Sequence, residues 1–153
     1  MSWLSDHEIE DTITANADTV TREAFHGVFP IDNLPTFISS YPLFLVVNTQ
    51  CHNLPGEHWI AIFIDKTKRG EVFDSFAMPP NILLSRWMNR FSRTWTTNVR
   101  SFQNPLSATC GAYVIYFVLK RLSVRGLNDI SRSLSSQPHV NDKHVVDFYN
   151  SLK

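Results

Sequence analysis

Cysteine is scarce: the 153 residues contain two, Cys51 and Cys110. That is too few for the disulfide framework of a small secreted domain, so both are expected as free thiols in a reducing compartment. Long apolar runs are also missing, since no stretch approaches the roughly 20 residues of a membrane span. The N-terminus, Met1-Ser2-Trp3-Leu4-Ser5-Asp6-His7-Glu8, lacks the basic-then-apolar pattern of a secretory signal. An intracellular, soluble protein is the expectation, with no membrane partner. Excess charge of one sign is absent too, because 14 basic and 14 acidic residues give a formal net charge of zero. This argues against whole-molecule attraction to nucleic acid. There is no glycine-rich phosphate loop, and the cysteines and scattered histidines lack the spacing of a zinc site. The length suits one domain, residues 1–153, able to bury a core without staples.

What the chain does have is a set of strand-like runs followed by a buried helix. Ser5 and Glu8 have the spacing of a capping box ahead of a first helix at about residues 5–13. Residues 26–42 carry Gly27, Pro30, Pro35 and Pro42, punctuation that reads as loop with a turn of helix. Residues 43–48, 59–65 and 71–76 are β-branched and aromatic runs of strand length. They are closely linked, so an antiparallel meander is the economical arrangement. Residues 81–94 show helical spacing, with Arg86, Arg90 and Arg93 on a separate face. A fourth strand is expected within 95–102, and from Cys110 to about Leu122 the apolar character is nearly continuous, the pattern of a helix buried on most sides. Helices near 127–134 and 141–152 follow, the latter with Asn141 as its cap. The expected fold class is α+β: a central mixed or antiparallel β-sheet packed by helices, with a buried helix starting at Cys110.

Four residue types along this layout supply acyl-transfer chemistry. A thiolate, not a thiol, is the nucleophile, and a helix N-terminus or an adjacent imidazolium stabilises it. Cys110 is placed to be that nucleophile, with its own amide as one donor to an oxyanion and the small Gly111 beside it allowing close approach of a substrate carbonyl. His58 opens a strand and is the candidate general base. Asp74, near the end of the neighbouring antiparallel strand, can reach the imidazole and fix its tautomer. Gln103, seven residues before Cys110, offers a side-chain amide as the second oxyanion donor. Each of these residues alone has a commoner structural role, and their joint order carries the reading.

That order is His58-Trp59, Phe73-Asp74-Ser75, Gln103-Asn104-Pro105 and Cys110-Gly111. It resembles the adenovirus-type cysteine proteases (adenain-like) and their wider clan, which includes the SUMO and ubiquitin-like-protein proteases. Gly56-Glu57-His58-Trp59-Ile60-Ala61 and Phe73-Asp74-Ser75-Phe76 look most similar to the compact viral branch and to proteases of small DNA viruses and virus-like DNA transposons. Trp3-Leu4-Ser5-Asp6 resembles the family's N-terminal substrate-side segment. The resemblance implies Cys110 as nucleophile, His58 as base, Asp74 as its orienter and Gln103 as oxyanion donor. It also implies Trp59 and Gly111 at the substrate, Trp59 being the aromatic wall beside the base. The implied activity is a cysteine endopeptidase that cleaves glycine-containing sites in viral precursor proteins during virion maturation, in the host nucleus or the virion.

The chemistry requires no cofactor and no metal. By resemblance, an activating peptide or DNA is the cofactor to expect. No cysteine lies between Asp74 and Cys110 to hold a disulfide-linked peptide, and Cys51 reads as a bystander thiol. The Arg86, Arg90 and Arg93 face, with Arg100, is the local candidate for polyanion contact. Two other functions fit the same residues: a deconjugating protease for ubiquitin-like modifiers, and a non-catalytic binding module on the same fold.

Overall fold

The computed structural model describes residues 1, 3–49 and 58–153, so Cys51, Gly56 and Glu57 lie outside the described residues. Its centre is a five-stranded sheet in the order β1-β2-β3-β4-β5, formed by Phe25–Pro30, Leu43–Asn48, Trp59–Ile64, Arg69–Phe73 and Thr94–Thr97. The three inner strands form the expected antiparallel meander, with Asn48 opposite Trp59 and Ala61 opposite Phe73. The outer strands β1 and β5 each run parallel to their neighbour, which makes the sheet mixed.

Alternate residues of the inner strands feed two cores. Phe44, Val46, Ala61, Phe63 and Phe73 face one side, while Leu45, Val47, Ile60, Ile62 and Val72 face the other. A strand buried on both faces must be apolar throughout, which is why these runs show little polar alternation. Against the first face packs helix α4, Cys110–Lys120, with every residue from Cys110 to Val118 buried. Helices α1 (Asp6–Asn16) and α6 (Pro138–Ser151) pack on α4 in turn. Helix α3, Ile82–Phe91, covers the second face through Leu84, Trp87 and Met88. Short helices α2 (Thr19–Ala24) and α5 (Leu127–Arg132) complete the set.

The capping box forms as expected, Glu8 N donating to Ser5 Oγ at 3.1 Å and Ser5 N to Glu8 Oε2 at 2.9 Å, and α1 runs on to Asn16. Three expectations need correction. Residues 25–30, read as loop, form β1; Pro30 lies at the strand's end, and Gly27 takes a φ of 124° at the irregularity between Phe25 and Val28. The fourth strand, expected within 95–102, is β5 at Thr94–Thr97, only four residues long and at the sheet edge beyond α3. Asn141 does not cap α6, whose cap is Gln137. Instead Asn141 is buried and pins two loops, donating to Phe102 O at 3.2 Å and Ser135 O at 2.8 Å while accepting from Ser135 N at 2.7 Å. A buried amide has both donor and acceptor ends to satisfy, and the backbone of these loops meets that need.

Candidate active site

Antiparallel pairing of β3 and β4 brings the residue before one strand beside the residue after the other. His58 immediately precedes β3 and Asp74 immediately follows β4, and His58 Nε2 lies 2.7 Å from Asp74 Oδ1. Both side chains are largely buried, at 15% and 11% exposure, so the pair is weakly screened by solvent. Phe76 stacks on the imidazole with ring centroids 4.9 Å apart.

Asp74 is held tightly. Asn98, buried just past β5, accepts from Asp74 N at 2.9 Å and donates to Asp74 O at 2.7 Å. The carboxylate also accepts from Phe76 N at 2.9 Å and Met78 N at 3.3 Å, in a turn where Ala77 has a positive φ of 52°. Nothing in a lone asparagine twenty-four residues downstream announces this clamp in the sequence. It exists because β5 pairs parallel with β4 and delivers Asn98 to the same end of the sheet.

The second ring nitrogen of His58, Nδ1, is buried. The Cys110 sulfur acts on the imidazole. Burial alone would lower the His58 pKa, but hydrogen bonding and charge from Asp74 and from Cys110 raise it from 6.5 to about 9. His58 is therefore an imidazolium at neutral pH, with Asp74 on Nε2 and Cys110 as its second polar neighbour.

Cys110 is the first residue of α4 and is buried. Thr109, at the N-cap, makes no side-chain cap bond to the helix, so the positive end of the helix dipole is directed at an anion formed at Cys110. Gln103 is also buried. Its Oε1 accepts from Ser75 Oγ at 2.5 Å, and its Nε2 donates to Ser107 O at 3.1 Å and Ser107 Oγ at 3.2 Å. Trp59 is 4% exposed, and its indole N–H donates to Leu4 O at 3.1 Å. The space beside Gly111 is taken by the same residue, because a Cβ there would lie 3.0 Å from Leu4 Cβ and Cδ1. The N-terminal segment thus latches onto both Trp59 and the first turn of α4. The glycine accommodates Leu4.

The arginine face is smaller than expected. Arg86 and Arg90 are exposed on α3, and Arg93 is exposed just beyond its end. Arg100 is committed to the carbonyls of Ser131, Leu134 and Ser135 at the end of α5. Among the described residues, no cluster of three His, Cys, Asp or Glu side chains is placed to hold a metal.

No protein-family model matches the chain. In an alignment that covers 70% of its length, it is 28% identical to a cysteine protease of African swine fever virus, of which it spans 42%. A crystal structure of the African swine fever virus protease superposes on 99% of this chain and 68% of its own, at a TM-score of 0.64 and 18% identity. A SUMO protease whose catalytic cysteine is oxidised to a sulfonic acid matches 99% of this chain and 80% of its own, at a TM-score of 0.51 and 17% identity. The chain has the fold of these cysteine proteases. The α+β class, the mixed sheet and the buried helix starting at Cys110 are features of this cysteine-protease fold as the chain adopts it. Among the described residues, no helix is long and apolar enough to cross a membrane.

Proposed function

We propose that this chain is a cysteine endopeptidase that uses Cys110 as nucleophile, His58 as acid and base, Asp74 as the orienter of His58, and Gln103 with the Cys110 amide as oxyanion donors. The observation that carries the reading is the His58–Asp74 contact at 2.7 Å, with the imidazole raised to about 9 by Asp74 and Cys110 together. A structural histidine buried this deeply would be expected neutral. The likeness to viral and SUMO cysteine proteases supports the same reading.

In this mechanism the Cys110 thiolate attacks the scissile carbonyl carbon and the carbonyl π pair moves onto oxygen. Collapse of that adduct breaks the C–N bond, and the imidazolium proton of His58 passes to the leaving amine. The neutral imidazole then takes a proton from water, which attacks the thioester and releases the thiolate. Asp74 stays ionised throughout and keeps Nε2 protonated, leaving Nδ1 for the proton transfers. Trp59 and Gly111 serve the substrate side by seating Leu4 of the N-terminal segment, and a cavity of about 450 Å³ on the α3 side of His58 and Asp74 is wide enough for an apolar substrate side chain.

The substrates are precursor proteins of a virus, cut at glycine-containing sites during virion maturation in the nucleus or the particle. The chemistry is complete within the chain. An activating peptide or DNA would act on assembly of the site, with Arg86, Arg90 and Arg93 as the surface offered to a polyanion. A deconjugating role toward ubiquitin-like modifiers is the second reading, supported by the SUMO-protease likeness.

The test pairs thiol alkylation with peptide turnover. Iodoacetamide should modify Cys110 rapidly at neutral pH, and His58→Ala should abolish that speed. Cys110→Ala should keep the fold and lose all turnover of a glycine-containing peptide. Slow alkylation indifferent to His58 would leave a binding module on the same fold, and preferential cleavage of a modifier conjugate would favour the second reading.

A further inference from the structure

We propose that Asp142, on α6, is a positioning residue for the oxyanion donor Gln103, acting through Thr109 and Ser107; this rests on the protease reading above. Asp142 Oδ1 accepts from the Tyr113 hydroxyl at 2.8 Å, from Thr109 Oγ1 at 3.2 Å and from Asn104 N at 3.4 Å. Those three partners bracket the chemistry. Asn104 follows Gln103, Thr109 precedes Cys110, and Tyr113 lies one turn beyond it.

The direction of each bond follows from what each group can do. A carboxylate only accepts, so the one proton of Thr109 is committed to Asp142. Thr109 Oγ1 and Ser107 Oγ are 2.9 Å apart, and with the threonine proton used, Ser107 is the donor; its proton is shared with Asn104 O at 3.0 Å. The serine oxygen is then free to accept from Gln103 Nε2. The Ser107 carbonyl, which also faces Nε2, can only accept, so it fixes which end of the Gln103 side chain is the amide. Ser75, one residue past Asp74, donates to the other end.

The chain of bonds therefore runs from the carboxylate on α6 to the Gln103 amide, of whose two N–H groups one passes from Ser107 to the oxyanion during the reaction. Burial and the Asp142 carboxylate both push the Tyr113 phenol above its ordinary range, so this anchor stays a donor.

Asp142→Ala, Gln103→Ala and the double variant decide the matter by peptide turnover. Gln103→Ala should lower kcat about 10²- to 10³-fold, the usual effect of losing one oxyanion donor. Asp142→Ala should lower kcat about 10- to 100-fold with KM nearly unchanged, as expected for a misplaced rather than missing group. Because the two act on one function, the double variant should be no slower than Gln103→Ala alone. The rate of Cys110 alkylation should stay at the wild-type value in all three, since the thiolate and imidazolium are untouched; a merely structural role would slow it together with turnover. If Asp142→Ala unfolds, Thr109→Val breaks the same chain with little change of shape and should reproduce the loss in kcat. Unchanged kcat, or losses that multiply in the double variant, would overturn the role of Asp142 while leaving an active wild type as evidence for the protease. A wild type with neither turnover nor fast alkylation would overturn both.

Discussion

Replacing Asp74 by Asn removes the negative charge 2.7 Å from His58 Nε2 while leaving the backbone clamp from Asn98 intact, because that clamp grips only the main-chain N and O of residue 74. The asparagine oxygen can still accept from Phe76 N, so the turn should survive. The magnitude follows from the raised imidazole. A move from 6.5 to about 9, at 1.36 kcal/mol per unit, is worth about 3 kcal/mol, shared between Asp74 and Cys110. Both side chains of the pair are well under one-third exposed, so solvent screening takes little of it. As an upper bound on what Asp74→Asn can lose, this corresponds to at most about 6–12 °C in Tm for a chain of this size. The sign is set by the direction of the shift. A raised folded-state pKa gives stability that is fully present below pH 6.5 and is lost as pH rises through about 9. Thermal melts of wild type and Asp74→Asn should therefore differ most near pH 6 and converge by pH 10, and the His58 imidazole resonance in the variant should titrate closer to 6.5. A Tm difference of equal size at pH 6 and pH 10, or a wild-type imidazole that titrates near 6.5, would refute the coupling of charge and stability at this site.

Turnover in Asp74→Asn should fall by about 10⁴-fold, the scale seen when a triad carboxylate can no longer hold the correct tautomer, measured as kcat on the same peptide. Gly111→Ala sets about 1–3 kcal/mol of overpacking against Leu4 against up to about 1 kcal/mol of helix propensity; a net fall in Tm is expected, and Leu4→Ala should relieve the clash in the double variant. Breaking the buried pair in which Arg121 Nε and Nη2 donate to Glu71 at 2.6 and 3.0 Å by Glu71→Ala should cost about 3–5 kcal/mol, read by urea denaturation. That substitution also orphans Leu127 N, which donates to Glu71 Oε2 at 3.2 Å.

The strands and helices with an unbroken apolar signal were legible. Residues 43–48, 59–64 and 110–120 each need burial on more than one side, and a chain that must be buried declares it in composition. The His58–Asp74 contact was legible for a related reason: in an antiparallel pair, chain order alone places the start of one strand beside the end of its neighbour. What escaped were features that depend on parallel or distant pairing. β1 hides behind Gly27 and Pro30 because its partner β2 supplies the pairing rather than its own propensity. Asn98 and Asp142 look like ordinary surface polar residues until β5 and α6 bring them to Asp74 and Thr109. Asn141 has the residue type of a helix cap, and local spacing cannot distinguish that role from a buried bridge between loops. Gly111 was legible as a point of close approach, but the approaching group is Leu4, from the far end of the chain.

The nine buried residues from Cys110 to Val118 make the helix that carries the proposed nucleophile and the hydrophobic core one and the same object. Such an arrangement constrains how the molecule can evolve. Any drift in α4 is taxed by packing before it can alter reactivity, so the chemistry is insulated from mutation while the exposed ends of the sheet are left to vary. Diversification into new targets should then proceed through turns such as 76–81 and 104–107, where Met78 and Leu106 already stand in solvent, and leave the engine beneath them unaltered.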